Sequence, residues 1–118
     1  MRILLVDDEE EFVTALAERL VLRGIDADCV TNGTDAVRFA QSRKYDVVVV
    51  DIKMPKICGL DVMKSIREKD ANAKFIFITG HGSEENVRAC REAGACDCLF
   101  KPVNIDVLIE KVLKAAKT

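Results

Sequence analysis

Five short stretches of the chain have strand-like patterning, three of them apolar without interruption, and each is followed by a segment of helical period. Residues 3–6 (Ile3, Leu4, Leu5, Val6) form the first and stop abruptly at Asp7, Asp8, Glu9 and Glu10. Residues 10–23 then repeat at helical spacing. Phe12, Leu16 and Leu20 make one stripe with Ala15 beside it, and acids at the start suit the positive end of the helix dipole. Gly24 ends this helix. Residues 25–30 alternate Ile, Ala, Cys against Asp, Asp, which predicts a strand near a sheet edge. Asn32 and Gly33 read as a turn before a helix carrying Ala36, Val37 and Ala40.

Residues 47–50 are four valines in a row, which predicts a strand buried on both faces, with Tyr45 leading into it. Asp51 ends that run, and Pro55 bars further ladder donors and marks a loop. Gly59 precedes a helix with Leu60, Met63 and Ile66. Residues 75–78 are again wholly apolar and stop at Thr79, Gly80, His81 and Gly82. Ser83 is a plausible helix start. The helix beyond it has a thin apolar face of Val87, Cys90 and Ala93, closed by Gly94. Residues 96–100 make a fifth strand, closed by Lys101 and Pro102. Asn104 caps a last helix with the stripe Ile105, Leu108, Ile109, Val112 and Ala116. Five alternations of strand and helix with short connections imply an α/β fold: a parallel sheet with helices on both faces and right-handed crossovers.

Length and charge narrow the function. A chain of 118 residues is expected to be one domain, with no linker or repeat. Eighteen basic against 20 acidic side chains leave no basic stripe for a nucleic-acid backbone, so direct DNA or RNA binding is not expected. No stretch is long and apolar enough for a membrane span, and no signal-peptide pattern opens the chain. Five cysteines, an odd number, fit reduced thiols in a cytoplasmic protein. Cys96 and Cys98 form a lone C-x-C, a weak metal signal.

Parallel strands all point one way, so the residues just after them converge on one rim. Four of those five positions hold capable chemistry: Asp7 and Asp8, Asp51, Thr79, and Lys101. A turn-capping role for Asp51, helix-start acids at Asp7 and Asp8, and a solvated Lys101 are the plain alternatives when each is taken alone. Converged, the carboxylates would repel unless a cation intervened, and a hard oxygen site of this kind suits Mg²⁺. Lys101 would offer a fixed charge to a phosphoryl oxygen, and Thr79 a hydroxyl donor. A carboxylate nucleophile at Asp51 needs no general base. The set is that of phosphoryl transfer.

The chain resembles the receiver domain of bacterial two-component response regulators, in the flavodoxin-like, CheY-like family. The resemblance rests on Val6-Asp7-Asp8-Glu9, on Asp51-Ile52-Lys53-Met54-Pro55 with Gly59, on Ile78-Thr79-Gly80-His81-Gly82, on Gly94-Ala95 and on Lys101-Pro102. Together these span the chain, so the domain is expected to cover residues 1–118. Thr-Gly-His-Gly also resembles receivers of transcriptional activators. The resemblance implies a doubly wound (βα)5 sandwich with strand order 2-1-3-4-5. It implies that Asp51 takes a phosphoryl group from a sensor histidine kinase or phosphotransfer protein. Asp8, Asp51 and the backbone carbonyl of Lys53 would bind Mg²⁺, with Asp7 acting through water. Thr79 and Lys101 would hold the phosphoryl oxygens, and the bond before Pro102 would be cis.

Family members carry an aromatic residue where this chain has Cys98. Signalling is therefore expected to rely on the 79–83 loop and the helix after it, whose thin face implies low local stability. Lys53 and His81 occupy positions that tune phosphoryl lifetime in the family. Lys53 either shields the group or pairs with an acid such as Glu9, with plain exposure as the alternative. His81 reads as a loop residue. Gly80 either leaves room for the phosphoryl group or serves a turn. Val107, off the last helix's stripe, is either ordinary exposed surface or, the favoured reading, part of a partner interface together with the helix near Val87, within an output or self-association surface formed by the fourth helix, fifth strand and fifth helix. A Mg²⁺-dependent aspartyl phosphatase is a poor rival, because Lys53 stands where its acid would be. A flavin-binding domain is disfavoured by the acidic loop after Val6. An adaptor that is never phosphorylated is the remaining alternative.

Overall fold

Each apolar run becomes a strand because β-branched and aromatic residues pack well on a pleated, buried surface. The computed structural model describes residues 1–80 and 84–117. The strands are β1 (Arg2–Val6), β2 (Asp26–Val30), β3 (Val47–Asp51), β4 (Phe75–Thr79) and β5 (Asp97–Phe100). The helices are α1 (Glu10–Leu22), α2 (Gly33–Ser42), α3 (Gly59–Lys69), α4 (Glu84–Glu92) and α5 (Ile105–Ala116). All pairings are parallel, in the order β2-β1-β3-β4-β5. The doubly wound sandwich is thus present, with β2 at an edge as its alternating pattern predicts.

Period-two alternation splits the interior in two. Leu4, Val48, Val50, Phe75 and Phe77 face α2 and α3, with Cys90 of α4 joining them. Ile3, Leu5, Val47, Val49, Ile76 and Ile78 face α1 and α5. Both β3 and β4 are buried along their whole length, so neither can shift register without moving a full core face.

Several details differ from the sequence pattern. On α1 the buried stripe is Val13, Leu16, Ala17 and Leu20; Ala15 is exposed and Phe12 half-buried. On α5 it is Ala115, not Ala116, that is buried. In both cases an exposed alanine and a buried apolar neighbour differ by one or two positions, a rotation the composition does not resolve. Asn32 is not a turn residue but the N-cap of α2, its Oδ1 accepting from the Asp35 N–H at 2.8 Å. Gly33 and Gly59 each lie inside the first turn of a helix. β5 begins at Asp97, one residue later than predicted. Asn104 does cap α5, accepting from the N–H groups of Asp106 and Val107. The proposed helix start at Ser83 lies outside the described residues.

The thin face of α4 is real: only Cys90 is fully buried. Arg67 of α3 secures the far end of α4, donating to the carbonyls of Ala93 at 3.0 Å and Gly94 at 3.1 Å. It also reaches the Ala73 carbonyl at 3.4 Å, and its guanidinium lies 5.3 Å from the Phe75 ring centroid. Gly94, with φ +85°, leaves the helix in the left-handed conformation that favours glycine. All five cysteines are free. No described helix is long and apolar enough to cross a membrane.

Candidate functional site

Among the described residues the buried polar side chains are Asp7, Asp51 and Thr79, and all three follow or end a strand at the same rim of the sheet. Burying polar groups without partners is unfavourable, so their concentration at one place calls for a compensating charge. Lys101 supplies it. The cation sits 2.6 Å from Glu9 Oε1, 2.9 Å from Asp7 Oδ2 and 3.6 Å from Asp51 Oδ2. It also stands 4.6 Å from the centroid of the Phe12 ring.

Backbone contacts hold these groups in place. The Asp7 N–H donates to the Val30 carbonyl at 3.2 Å, and Asp7 Oδ1 accepts from the Glu9 N–H at 2.9 Å. Asp51 Oδ1 accepts from the Lys53 N–H at 3.2 Å. The Lys101 N–H donates to the Thr79 carbonyl at 2.9 Å, and the peptide bond between Lys101 and Pro102 is cis. Gly59 donates its N–H to the Ile52 carbonyl at 2.8 Å. A Cβ at Gly59 would run into the Asp51 carbonyl oxygen. Only glycine lets α3 begin this close to the end of β3, and that approach fixes the backbone of Asp51.

The electrostatics follow from the burial. Removal from water pushes the Asp51 carboxyl up to about 6, with the Asp7 charge adding to the effect and Lys101 and the Lys53 N–H opposing it. Asp7 is also raised, by burial first, with Lys101 opposing. Burial alone would lower the Lys101 ammonium, but Glu9 and Asp7 outweigh it and hold it above its ordinary value. Lys101 is therefore a fixed cation at any physiological pH.

Asp7, Asp8 and Asp51 each present a carboxylate oxygen within 4.8 Å of the others, with Asp8 exposed to solvent. Asp7 Oδ2 is buried and lies near Lys101, but no hydrogen bond is aligned on it. Three hard oxygen donors, one of them short of a hydrogen bond, with an open side toward solvent, fit a Mg²⁺ ion that keeps several waters.

The remaining sequence candidates are distributed around this centre. The Lys53 side chain is exposed, the plain alternative, and Glu9, one acid it could have paired with, is bonded to Lys101. A Cβ at Gly80 would meet only the Lys101 stem, at 3.9 Å, so the chain packs nothing against that glycine. Asn86 of α4 donates to Thr79 Oγ1 at 3.5 Å. Cys98 is half-buried, its sulfur 3.6 Å from that of Cys90, beside a cleft of about 350 Å³ between α4 and β5. His81 lies outside the described residues. Glu9, Phe12 and Asn86 were not marked as site residues by the sequence pattern. Glu9 carries a faint signal, since it directly follows the acid pair.

Comparison with known proteins agrees with the geometry. The family model of the response regulator receiver domain matches residues 3–113. The CpxR homolog of Haemophilus influenzae, a transcriptional regulatory protein, is 35% identical over 111 residues, covering 94% of this chain and 48% of that protein. A cyclic di-GMP phosphodiesterase of Thermotoga maritima is 32% identical over 117 residues, covering 99% of this chain and 31% of that protein. The chain thus spans half or less of these two relatives. A receiver domain from Clostridium thermocellum superposes with a TM-score of 0.90 at 30% identity, covering 98% of this chain and 94% of the other. With its fold, its acidic rim and these relatives in agreement, the chain belongs to the response regulator receiver domains, the phosphoacceptor modules of two-component signalling.

Proposed function

We propose that Asp51 accepts a phosphoryl group from a histidine of a sensor kinase or phosphotransfer protein, in a step that requires Mg²⁺. The observation that carries this reading is the meeting of Asp7, Asp8, Asp51 and Lys101 at one rim. An Asp51 oxygen attacks phosphorus while the P–N bond breaks and its electron pair stays on the donor imidazole. Near pH 7 most of Asp51 is ionised despite its raised pKa, so no base is needed. Asp8, Asp51 and the Lys53 carbonyl would hold the metal, with Asp7 acting through water. Bound Mg²⁺ would offset charge between the acids and the incoming phosphoryl oxygens. Lys101 takes one phosphoryl oxygen and the Thr79 hydroxyl donates to another. Gly80 keeps space beside them.

The protein acts as a switch, not as a turnover enzyme. The module comprises residues 1–118 and works in the cytoplasm. Output runs through α4, β5 and α5, where Phe100 is 47% and Val107 41% exposed and Phe100 shares a cleft with Val87. Cys98 offers no ring to swing inward, so Thr79 speaks to α4, and the Asn86 contact supports that route.

The test is mass measurement after incubation with acetyl phosphate and Mg²⁺. One phosphoryl group is expected, absent without Mg²⁺ and absent in Asp51→Asn. A wild-type protein that stays unmodified would favour the adaptor reading.

A further inference from the structure

We propose that Phe12 is a positioning residue for Lys101, its ring face holding the ammonium over the phosphoacceptor while the lysine exchanges carboxylates for phosphoryl oxygens. The inference rests on the phosphoacceptor reading above. A lysine is a point charge on a flexible stem, strongly hydrated and with many rotamers. Something must keep it from swinging out to water when its partners change.

Among the described residues, four groups contact the Lys101 cation: Glu9 at 2.6 Å, Asp7 at 2.9 Å, Asp51 at 3.6 Å and the Phe12 ring centroid at 4.6 Å. Three of them are contested during the reaction. Asp7 and Asp51 belong to the carboxylate set that suits a metal. Glu9, whose side chain is 64% exposed, competes with an incoming phosphoryl oxygen for the same ammonium protons. Only the ring is claimed by neither metal nor phosphoryl group.

The ring is also well held. Phe12 lies in the first turn of α1 and packs on the core shared by α1 and α5. An ammonium over a benzene face is attracted by the ring quadrupole, more strongly when water is partly excluded, and the Lys101 side chain is only 17% exposed. A leucine at this position would fill similar space at the core edge but offer no negative face. Packing and positioning therefore separate by substitution.

The experiment compares Phe12→Leu and Phe12→Tyr, each in the wild-type and Lys101→Met backgrounds, for phosphorylation by acetyl phosphate at saturating Mg²⁺. Phe12→Leu is expected to weaken the concentration dependence about three- to tenfold, and Phe12→Tyr to recover it. In the Lys101→Met background, Phe12→Leu should have no further effect. A loss of equal size in both backgrounds would mean packing alone and overturn the proposal, as would a Phe12→Leu protein equal to wild type. Independently, NMR of the unmodified wild-type protein should show the Lys101 ε-protons shifted upfield by the ring. Ordinary lysine shifts there would also overturn it, whatever the variants do. If wild type takes up no phosphoryl group at all, the underlying reading fails instead, and the NMR result still stands alone.

Discussion

Asp51 is strained electrostatically in the folded protein. Its carboxyl moves from an ordinary 3.8 to about 6 because it is buried and faces Asp7. A raised folded pKa means the protonated form is favoured by folding. That contribution is complete below pH 3.8 and is lost as pH rises through about 6. Above pH 6 the ionised group opposes folding, by on the order of 1–3 kcal/mol for a shift that already includes the relief from Lys101. In Mg²⁺-free buffer at pH 7.5, Asp51→Asn is therefore expected to raise the urea midpoint, and the gain should shrink toward pH 4. A gain that does not change with pH would contradict this origin. Single residues were legible in the sequence where they end a strand: Asp7, Asp51, Thr79 and Lys101 all stand where the pattern puts them. Phe12 was legible only as apolar, because which face of a ring meets a cation depends on side-chain reach and not on periodicity. The pairing of Glu9 with Lys101 was missed for the same reason.

At the scale of elements, α4 is held by polar contacts more than by its apolar face. The carbonyls of Ala93 and Gly94, just past its last residue, are met by the Arg67 guanidinium, while toward its start the Asn86 amide reaches Thr79. Carbonyls at a helix end lack partners within the helix, so Arg67 satisfies acceptors that water or the chain must otherwise meet. Amide hydrogen exchange should show α4 less protected than β3 and β4, whose residues are buried throughout. Arg67→Met should speed exchange in α4 and around Ala95 about tenfold or more while leaving β3 nearly unchanged. Equal acceleration in all three elements, or equal protection of them in the wild type, would sink this picture of the helix. The weak face of α4 and the Asn104 cap of α5 could be read from composition alone. The Arg67 clamp could not, since backbone acceptors from 6 to 27 positions away leave no local trace. Asn32 was misread because Asn-Gly serves hairpin turns and helix starts alike, and only the following turn of α2 decides between them.

For the whole molecule, the alternation of strand and helix was enough to fix the class, since a parallel sheet needs crossovers of that length. Neighbour order was not in the periodicity and came with the family motifs. Because the acids belong to the loop after β1 and to the end of β3, a metal between them links parts of the chain that unfold together. Mg²⁺ at a hundred times its dissociation constant should stabilise the protein by about 2.7 kcal/mol, reversed by chelator and lost in Asp51→Asn. Thermal denaturation with and without Mg²⁺ checks this.

The contact between Glu9 and Lys101 joins positions 92 residues apart. A chain leaving the ribosome carries Asp7, Asp8 and Asp51 long before the lysine that completes the rim has been made. Copies that stop short of Lys101 therefore lack the cation that meets Asp7, Glu9 and Asp51, and the acidic rim stays unassembled in them.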